Sequence, residues 1–324
     1  MREGVIVATN PGGIANRIKC LVSMWRGSEI YNKKLCLYWK KNHTCGANFQ
    51  DLFENEIEEI DSEKLDKITK SEIVFYGGDE EELKNSSKKY ILSDTWRFLL
   101  LPGEIPENFA RAYPSKKGKN IDFEFERIPK ETRKIILQFL DKLIPVESVR
   151  KEVTDFQKKY PLQNMIGVHV RRGDFLDGKE GLGKVSSDAL FFSKMKEKLK
   201  ESPNIKFFLC TDCQNTEEKY LKEFKDKIVL FPKTNRDRTS VIATKEGLVD
   251  LLLLSKTNEI IGTYFSTFTE LAWWLGGCNA KVSIIKDEML KSDYEMKKKR
   301  LENQVYLKLK RYLWKLFKGR NKFS

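Results

Sequence analysis

The chain has 324 residues, of which 40% are hydrophobic and 33% charged. That supplies enough apolar side chain for real cores, excludes wholesale disorder, and at this length favours two domains over one. The net charge of +13 is uneven: between Lys297 and Lys322 eleven basic residues face one acid, Glu302, so the excess belongs to the tail and not to the body.

Strand and helix signals alternate along the body, the pattern of an α/β protein with mainly parallel sheets. Val5–Ala8 reads as a strand, Asn10-Pro11-Gly12-Gly13 as a turn, 16–31 as a helix and Leu35–Trp39 as the next strand. Residues 42–125 are less regular, with strands expected at 73–76 and 90–92. Helices are expected at 130–143 and 147–159. A second block opens with a strand at Met165–Val170 and a polar loop to Lys184. It continues as helix 188–200, strand 205–210, helix 216–224, strand 228–231, helix 240–254, strand 259–262, helix 267–275 and strand 281–285. This is a Rossmann-like succession. The spacing divides the chain into 1–155, 156–290 and a tail, 291–324.

In the tail, Leu301, Val305, Leu309, Tyr312, Leu313, Leu316 and Phe317 form one apolar helical stripe with lysines and arginines between them. A basic amphipathic helix of this kind binds an anionic membrane surface, here through residues 297–322. A solvated helix packed on its own domain is the alternative, and nucleic acid is disfavoured because no nucleic-acid-binding motif accompanies the charge. No apolar run is long enough to span a bilayer, and the N-terminus lacks signal-peptide features. The chain is expected in the cytoplasm, peripheral on the inner face of the membrane. Six scattered cysteines fit reduced thiols better than a disulfide framework. Cys210 and Cys213 have C-x-x-C spacing but no second pair to complete a zinc site, so no metal is expected there.

Three loops follow predicted strands, where open α/β sheets bind ligands. Gly12-Gly13-Ile14-Ala15-Asn16-Arg17 permits a tight turn before a helix N-terminus, though an ordinary strand-to-helix turn looks the same. His169-Val170-Arg171-Arg172-Gly173-Asp174 ends a strand; alternation sends His169 and Arg171 to one side. A guanidinium there suits pyrophosphate, whereas surface pairing with nearby acids is the plain alternative. Gly262-Thr263-Tyr264-Phe265-Ser266-Thr267-Phe268 puts hydroxyls at a helix start, fit either for a phosphate or for simple capping. Asp250 stands in an apolar helical run and needs partners: a guanine edge, or Arg236 or Arg238.

The His-Val-Arg-Arg-Gly-Asp stretch resembles the first motif of the α-1,2/α-1,6/protein O-fucosyltransferase superfamily. Phe208-Leu209-Cys210-Thr211-Asp212, Leu248-Val249-Asp250-Leu251 with Ile260 to Phe268, and Gly13-Ile14-Ala15-Asn16-Arg17 resemble its other conserved segments in the same order. Residues 42–160 show no such likeness. The resemblance implies a GT-B fold, two Rossmann-like domains facing a cleft, with the tail helix appended. It implies an inverting transferase moving fucose from GDP-fucose to a glycan acceptor, a cell-surface polysaccharide or lipid-linked precursor, with no cofactor. His169 and Asp250 would contact guanine and Arg171 the β-phosphate. Arg172, Asp174, Ser266, Thr267, Phe268 and Gly13 would complete the donor site. Asn16 would reach in from the acceptor side, with Asp177 or Glu180 as the acceptor's base and Asp174 as another candidate. The absence of Asp-x-Asp points to metal-independent chemistry. The same fold using another nucleotide sugar, or serving as a non-catalytic glycan-binding protein, remains the alternative.

Overall fold

The computed structural model describes residues 4–70, 73–75, 89–95, 98–99, 130–173 and 182–292. The tail helix expected over 291–324 and the loop residues Asp174, Asp177 and Glu180 lie outside the described residues, save for positions 291 and 292.

The first half runs β1 (Val5–Ala8), α1 (Ile14–Ile30), β2 (Lys34–Leu37), β3 (Glu58–Glu59), α2 (Ser62–Thr69), β4 (Ile73–Phe75) and β5 (Tyr90–Ser93), followed by α3 (Lys130–Asp141) and α4 (Glu147–Lys159). The second runs β6 (Met165–Val170), α5 (Leu182–Val185), α6 (Asp188–Glu201), β7 (Lys206–Thr211), α7 (Gln214–Phe224), β8 (Ile228–Val229), α8 (Val241–Leu254), β9 (Glu259–Thr263), α9 (Thr267–Leu275) and β10 (Lys281–Ile285). The elements expected from the sequence appear within a few residues of their expected ends. Three were not expected: α5, which begins within the stretch expected as a loop to Lys184, then β3 and α2. The latter is a polar helix that buries only Ile68 and is capped by Asp61, whose side chain accepts from the Lys64 N–H.

Two five-stranded sheets result, ordered β3-β2-β1-β5-β4 and β10-β9-β6-β7-β8. Every pairing within them is parallel. In each, strand order reverses beside the strand that opens the sheet, between β1 and β5 and between β6 and β9. Crevices at such switch points are where ligands sit in open α/β sheets.

Side-chain alternation decides what β6 and β7 show to each face. Ile166, Val168 and Val170 join Phe207 and Leu209 against α6 and α7, where Phe191, Met195, Tyr220 and Phe224 are buried. The opposite face, with Met165, Phe208 and Cys210, merges into a larger core. That core runs through α4 and α8 to α9 and on to α1, so the two halves share buried apolar surface. Phe156 of α4 makes an edge contact with Phe208 at 5.6 Å between ring centroids, and Trp273 and Trp274 of α9 are almost fully buried. Gly262 lets α9 come close: a Cβ there would lie 2.4 Å from a methyl of Thr269.

Candidate active site

A cavity of about 480 Å³ lies between the two halves. The first half contributes the β1–α1 loop, including Gly13 and Asn16, and Thr44. The second contributes the ends of β6 and β7, the loop after β8, α8, and the turn into α9.

The β1–α1 loop is held from behind. Asn10 Oδ1 accepts from the Gly12 N–H at 2.7 Å, while its amide nitrogen donates to the carbonyls of Asp94 and Thr95 beyond β5. Arg17 is buried; its Nε donates to the Gly12 carbonyl at 2.7 Å and its Nη2 to that of Lys40 at 2.9 Å. Its guanidinium lies over the Trp39 ring, 5.1 Å from the centroid. Gly13 is the N-cap of α1 and has no side chain to cap it. Asn16 lines the cavity, and its Oδ1 is buried without a hydrogen-bond partner.

Across the cavity, Thr263 stitches the switch point. Its hydroxyl donates to the His169 carbonyl and accepts from the Arg171 N–H, both at 2.9 Å. His169 is buried, stacked on Phe268 with centroids 4.6 Å apart. One ring nitrogen, Nδ1, lies 2.7 Å from the Thr269 hydroxyl. Burial drives its pKa down to about 3, against the pull of Asp212, so the imidazole is neutral at ordinary pH. The backbone then turns at Phe265, whose φ of 65° is unusual for a side chain of this size and costs on the order of 1–3 kcal/mol. That turn delivers Ser266 as the N-cap of α9, with no side-chain cap bond, and Thr267 as its first residue, both on the cavity.

The two arginines separate, as alternation requires. Arg171 lines the cavity, Nη1 paired with Asp212 Oδ2 at 2.5 Å. Burial disfavours the Asp212 charge, but Arg171 and the Arg172 N–H outweigh it and hold the carboxyl below its usual range. Arg172, expected at the donor, is not on the cavity wall. Its guanidinium is buried on the far side, bound to Asp188 at 2.5 Å and lying over Phe191, which ties the end of β6 to α6.

Asp250 is buried and lines the cavity. Its partner is neither Arg236 nor Arg238. It is Lys233, whose Nζ lies 2.6 Å from Oδ2. Arg236 pairs with Glu217 at 2.5 Å, and Arg238 donates to the Thr44 carbonyl across the cleft. Burial lifts the Asp250 pKa to about 6, with Lys233 pulling it down. Both partners are ionised at neutral pH, since the carboxylate holds the Lys233 proton more firmly despite burial. The sequence alone gives no role to Lys233, Arg17 or Asp212. For Lys233 a signal existed: a carboxylate inside an apolar helix demands a buried cation. Cys210 and Cys213 are free thiols, and among the described residues no cluster of His, Cys, Asp or Glu offers a metal a ligand set.

The arrangement can bind a polyanion and polarise it. A guanidinium, an uncapped helix N-terminus and a neutral stacked imidazole share one wall, facing the glycine turn of the other half. Solved structures share this fold. Fucosyltransferase NodZ from Bradyrhizobium covers 84% of this chain and 93% of its own at 16% identity, TM-score 0.51. POFUT1 in complex with GDP-fucose covers 88% and 98% at 10% identity, TM-score 0.50. A mutant of Arabidopsis thaliana FUT1 in complex with GDP covers 88% and 70% at 15% identity, TM-score 0.55. The chain has their fold. No family model matches it, and no curated protein does.

Proposed function

We propose that this protein is a glycosyltransferase that moves fucose from GDP-fucose to a glycan acceptor, with inversion and without a metal ion. One observation carries the reading: a single cavity gathers His169, Arg171, Asp250 and the Ser266–Thr267 turn from one sheet and Gly13 and Asn16 from the other. The fold shared with structures of the fucosyltransferase NodZ, soaked with GDP-fucose or co-crystallised with GDP, supports it.

In this scheme the acceptor oxygen attacks the anomeric carbon as its bond to the β-phosphate breaks. The electron pair leaves with GDP, and the acceptor's proton passes to a carboxylate of the segment 174–180, for which Asp177 and Glu180 are the candidates, with Asp174 as another. Arg171 stabilises the charge building on the departing phosphate, a form of electrostatic catalysis that is often the largest contribution. Asn16 orients the acceptor from the opposite wall. The acceptor is proposed to be a cell-surface polysaccharide or a lipid-linked precursor met at the inner membrane face.

Thermal-shift titration with GDP, ADP and UDP tests the donor. GDP is expected to stabilise the protein most; stabilisation by UDP or ADP alone would move the reading to another nucleotide sugar. Arg171→Ala is expected to abolish donor hydrolysis; unchanged turnover in that variant would reject its role, whereas a wild type that binds glycan but shows no turnover would favour a non-catalytic glycan binder.

A further inference from the structure

Lys233 sits in the loop after β8, and that loop is fixed. The Glu246 carboxylate accepts from the Thr234 N–H and hydroxyl and from the Asn235 N–H. The Lys233 ammonium is placed just as firmly. It donates to the Thr211 carbonyl at 2.7 Å and meets Asp250 Oδ2 at 2.6 Å. An ammonium has three N–H donors. Among the described residues, the third finds no hydrogen-bond acceptor: Glu217 Oε1 lies at 3.7 Å, beyond hydrogen-bond range. Glu217 is already neutralised by Arg236.

Charge neutralisation alone leaves something over. Among the described residues, Asp250 Oδ1 is buried without a hydrogen-bond partner; the residue is only 4% exposed, yet it lines the cavity. Such an orphan is costly unless a ligand fills it. An unpartnered carboxylate oxygen and an ammonium with one N–H to spare thus belong to a close pair of residues that both line the cavity, one an acceptor and one a donor.

Guanine fits this edge with three hydrogen bonds. Its O6 accepts from the ammonium, while N1–H and the N2 amine donate to the carboxylate. Uracil offers O4 and N3–H but then sets its O2 acceptor against the carboxylate. Adenine, turned over, offers N6–H and N1 and fills two places only. We infer that Lys233 is a specificity-determining residue that donates a hydrogen bond to guanine O6 while Asp250 accepts from N1–H and the N2 amine. This rests on the GDP-sugar reading above and adds a base contact that the fold resemblance did not supply.

The test uses the full chain and two nucleotides that differ at one atom, GDP and 6-thio-GDP, whose sulfur is a poor acceptor. The wild type is expected to prefer GDP by roughly tenfold, the worth of a hydrogen bond to a charged donor. In Lys233→Met that preference is expected to fall to about one, whatever happens to overall affinity. A preference that survives in Lys233→Met shows that the ammonium only neutralises Asp250, and the inference is overturned while the donor reading stands. GDP binding the wild type no better than ADP or UDP would bring down both, and it is visible before any variant is made. Where Lys233→Met does not fold, the double variant Lys233→Met/Asp250→Asn removes both charges. It is expected to show the same loss of discrimination, and retained discrimination there overturns the inference equally.

Discussion

Lys19 and Glu270, 251 positions apart, meet at 2.5 Å as an ion pair that buries both side chains, 1% and 4% exposed. Lys19 comes from α1, whose N-terminus forms the glycine wall of the cavity. Glu270 comes from α9, whose N-terminus forms the opposite wall. The ammonium also lies 5.3 Å from the Phe98 ring centroid. Removing one partner strands a buried charge, so Lys19→Met is expected to lose about 3–5 kcal/mol of stability. Lys19→Met/Glu270→Leu replaces the pair with apolar groups and is expected to recover most of that loss. Urea unfolding of both variants measures it; a double variant as unstable as the single one contradicts the account.

Donor binding should depend on pH through Asp250 and not through His169. The Asp250 pKa in the folded protein is about 6, raised by burial, while that of His169 is about 3. An acid with a raised folded pKa binds its proton more tightly in the native state, so its contribution to stability falls as pH rises from about 4, the unfolded value, toward 6. In binding the sign is opposite: protonated Asp250 turns one of its two acceptor oxygens into an O–H donor and can no longer take both N1–H and the N2 amine, so affinity for GDP-fucose should weaken as pH drops through 6. The sugar diphosphate has no phosphate monoester to confuse the profile. Calorimetry from pH 5 to 8 on the wild type and on Asp250→Asn checks this, and an inflection near 6 that persists in the variant would assign it elsewhere.

The cavity rim is tight at Gly46. Its N–H donates to the Thr244 hydroxyl at 3.2 Å, and a Cβ there would fall 2.0 Å from the Thr239 carbonyl oxygen. That contact joins the segment carrying Thr44 to the start of α8. Gly46→Ala must push the two apart, with an expected cost of about 1–3 kcal/mol and weaker donor binding as Thr44 and Arg238 separate. Melting temperature and donor affinity measured together decide it; a variant with both unchanged refutes the rim assignment.

The tail makes an independent prediction. A chain truncated after Lys291 is expected to keep donor binding and lose its affinity for anionic vesicles, where each Lys or Arg near the surface contributes about 1 kcal/mol. Vesicle sedimentation at low and high salt measures this. Undiminished binding by the truncated chain rejects the membrane proposal.

Much of this architecture was legible in the residues. The second half reads almost directly, because its strands are short apolar runs bounded by polar turns, and its helices are longer segments with an apolar face or, for α8, an apolar run throughout. Alternation along Val168 to Arg172 already separates Arg171 from Arg172, although both were first placed at the donor. Buried charge was what the pattern hid. Lys19, Arg17 and Lys233 look like any surface cation in a chain so rich in them, and nothing local marks a side chain that will be enclosed by partners from distant segments. Asp250 was marked, since a carboxylate in an apolar run stands out, but its counter-ion had to come from across a turn. The helix α2 escaped for the opposite reason: it buries a single side chain, so it has little apolar period to detect.

α1 and α9 both open on the cavity with no side chain capping them. Their first N–H groups and the positive ends of two helix dipoles converge on one space. Under the proposed donor reading, a bound diphosphate would offset that field, so that occupancy would add to stability. Each tenfold rise in free donor above its dissociation constant adds about 1.4 kcal/mol to the folded state. If the proposed donor reading holds, a cell short of the nucleotide sugar would also hold less of this protein, by leaving more of it open to proteolysis.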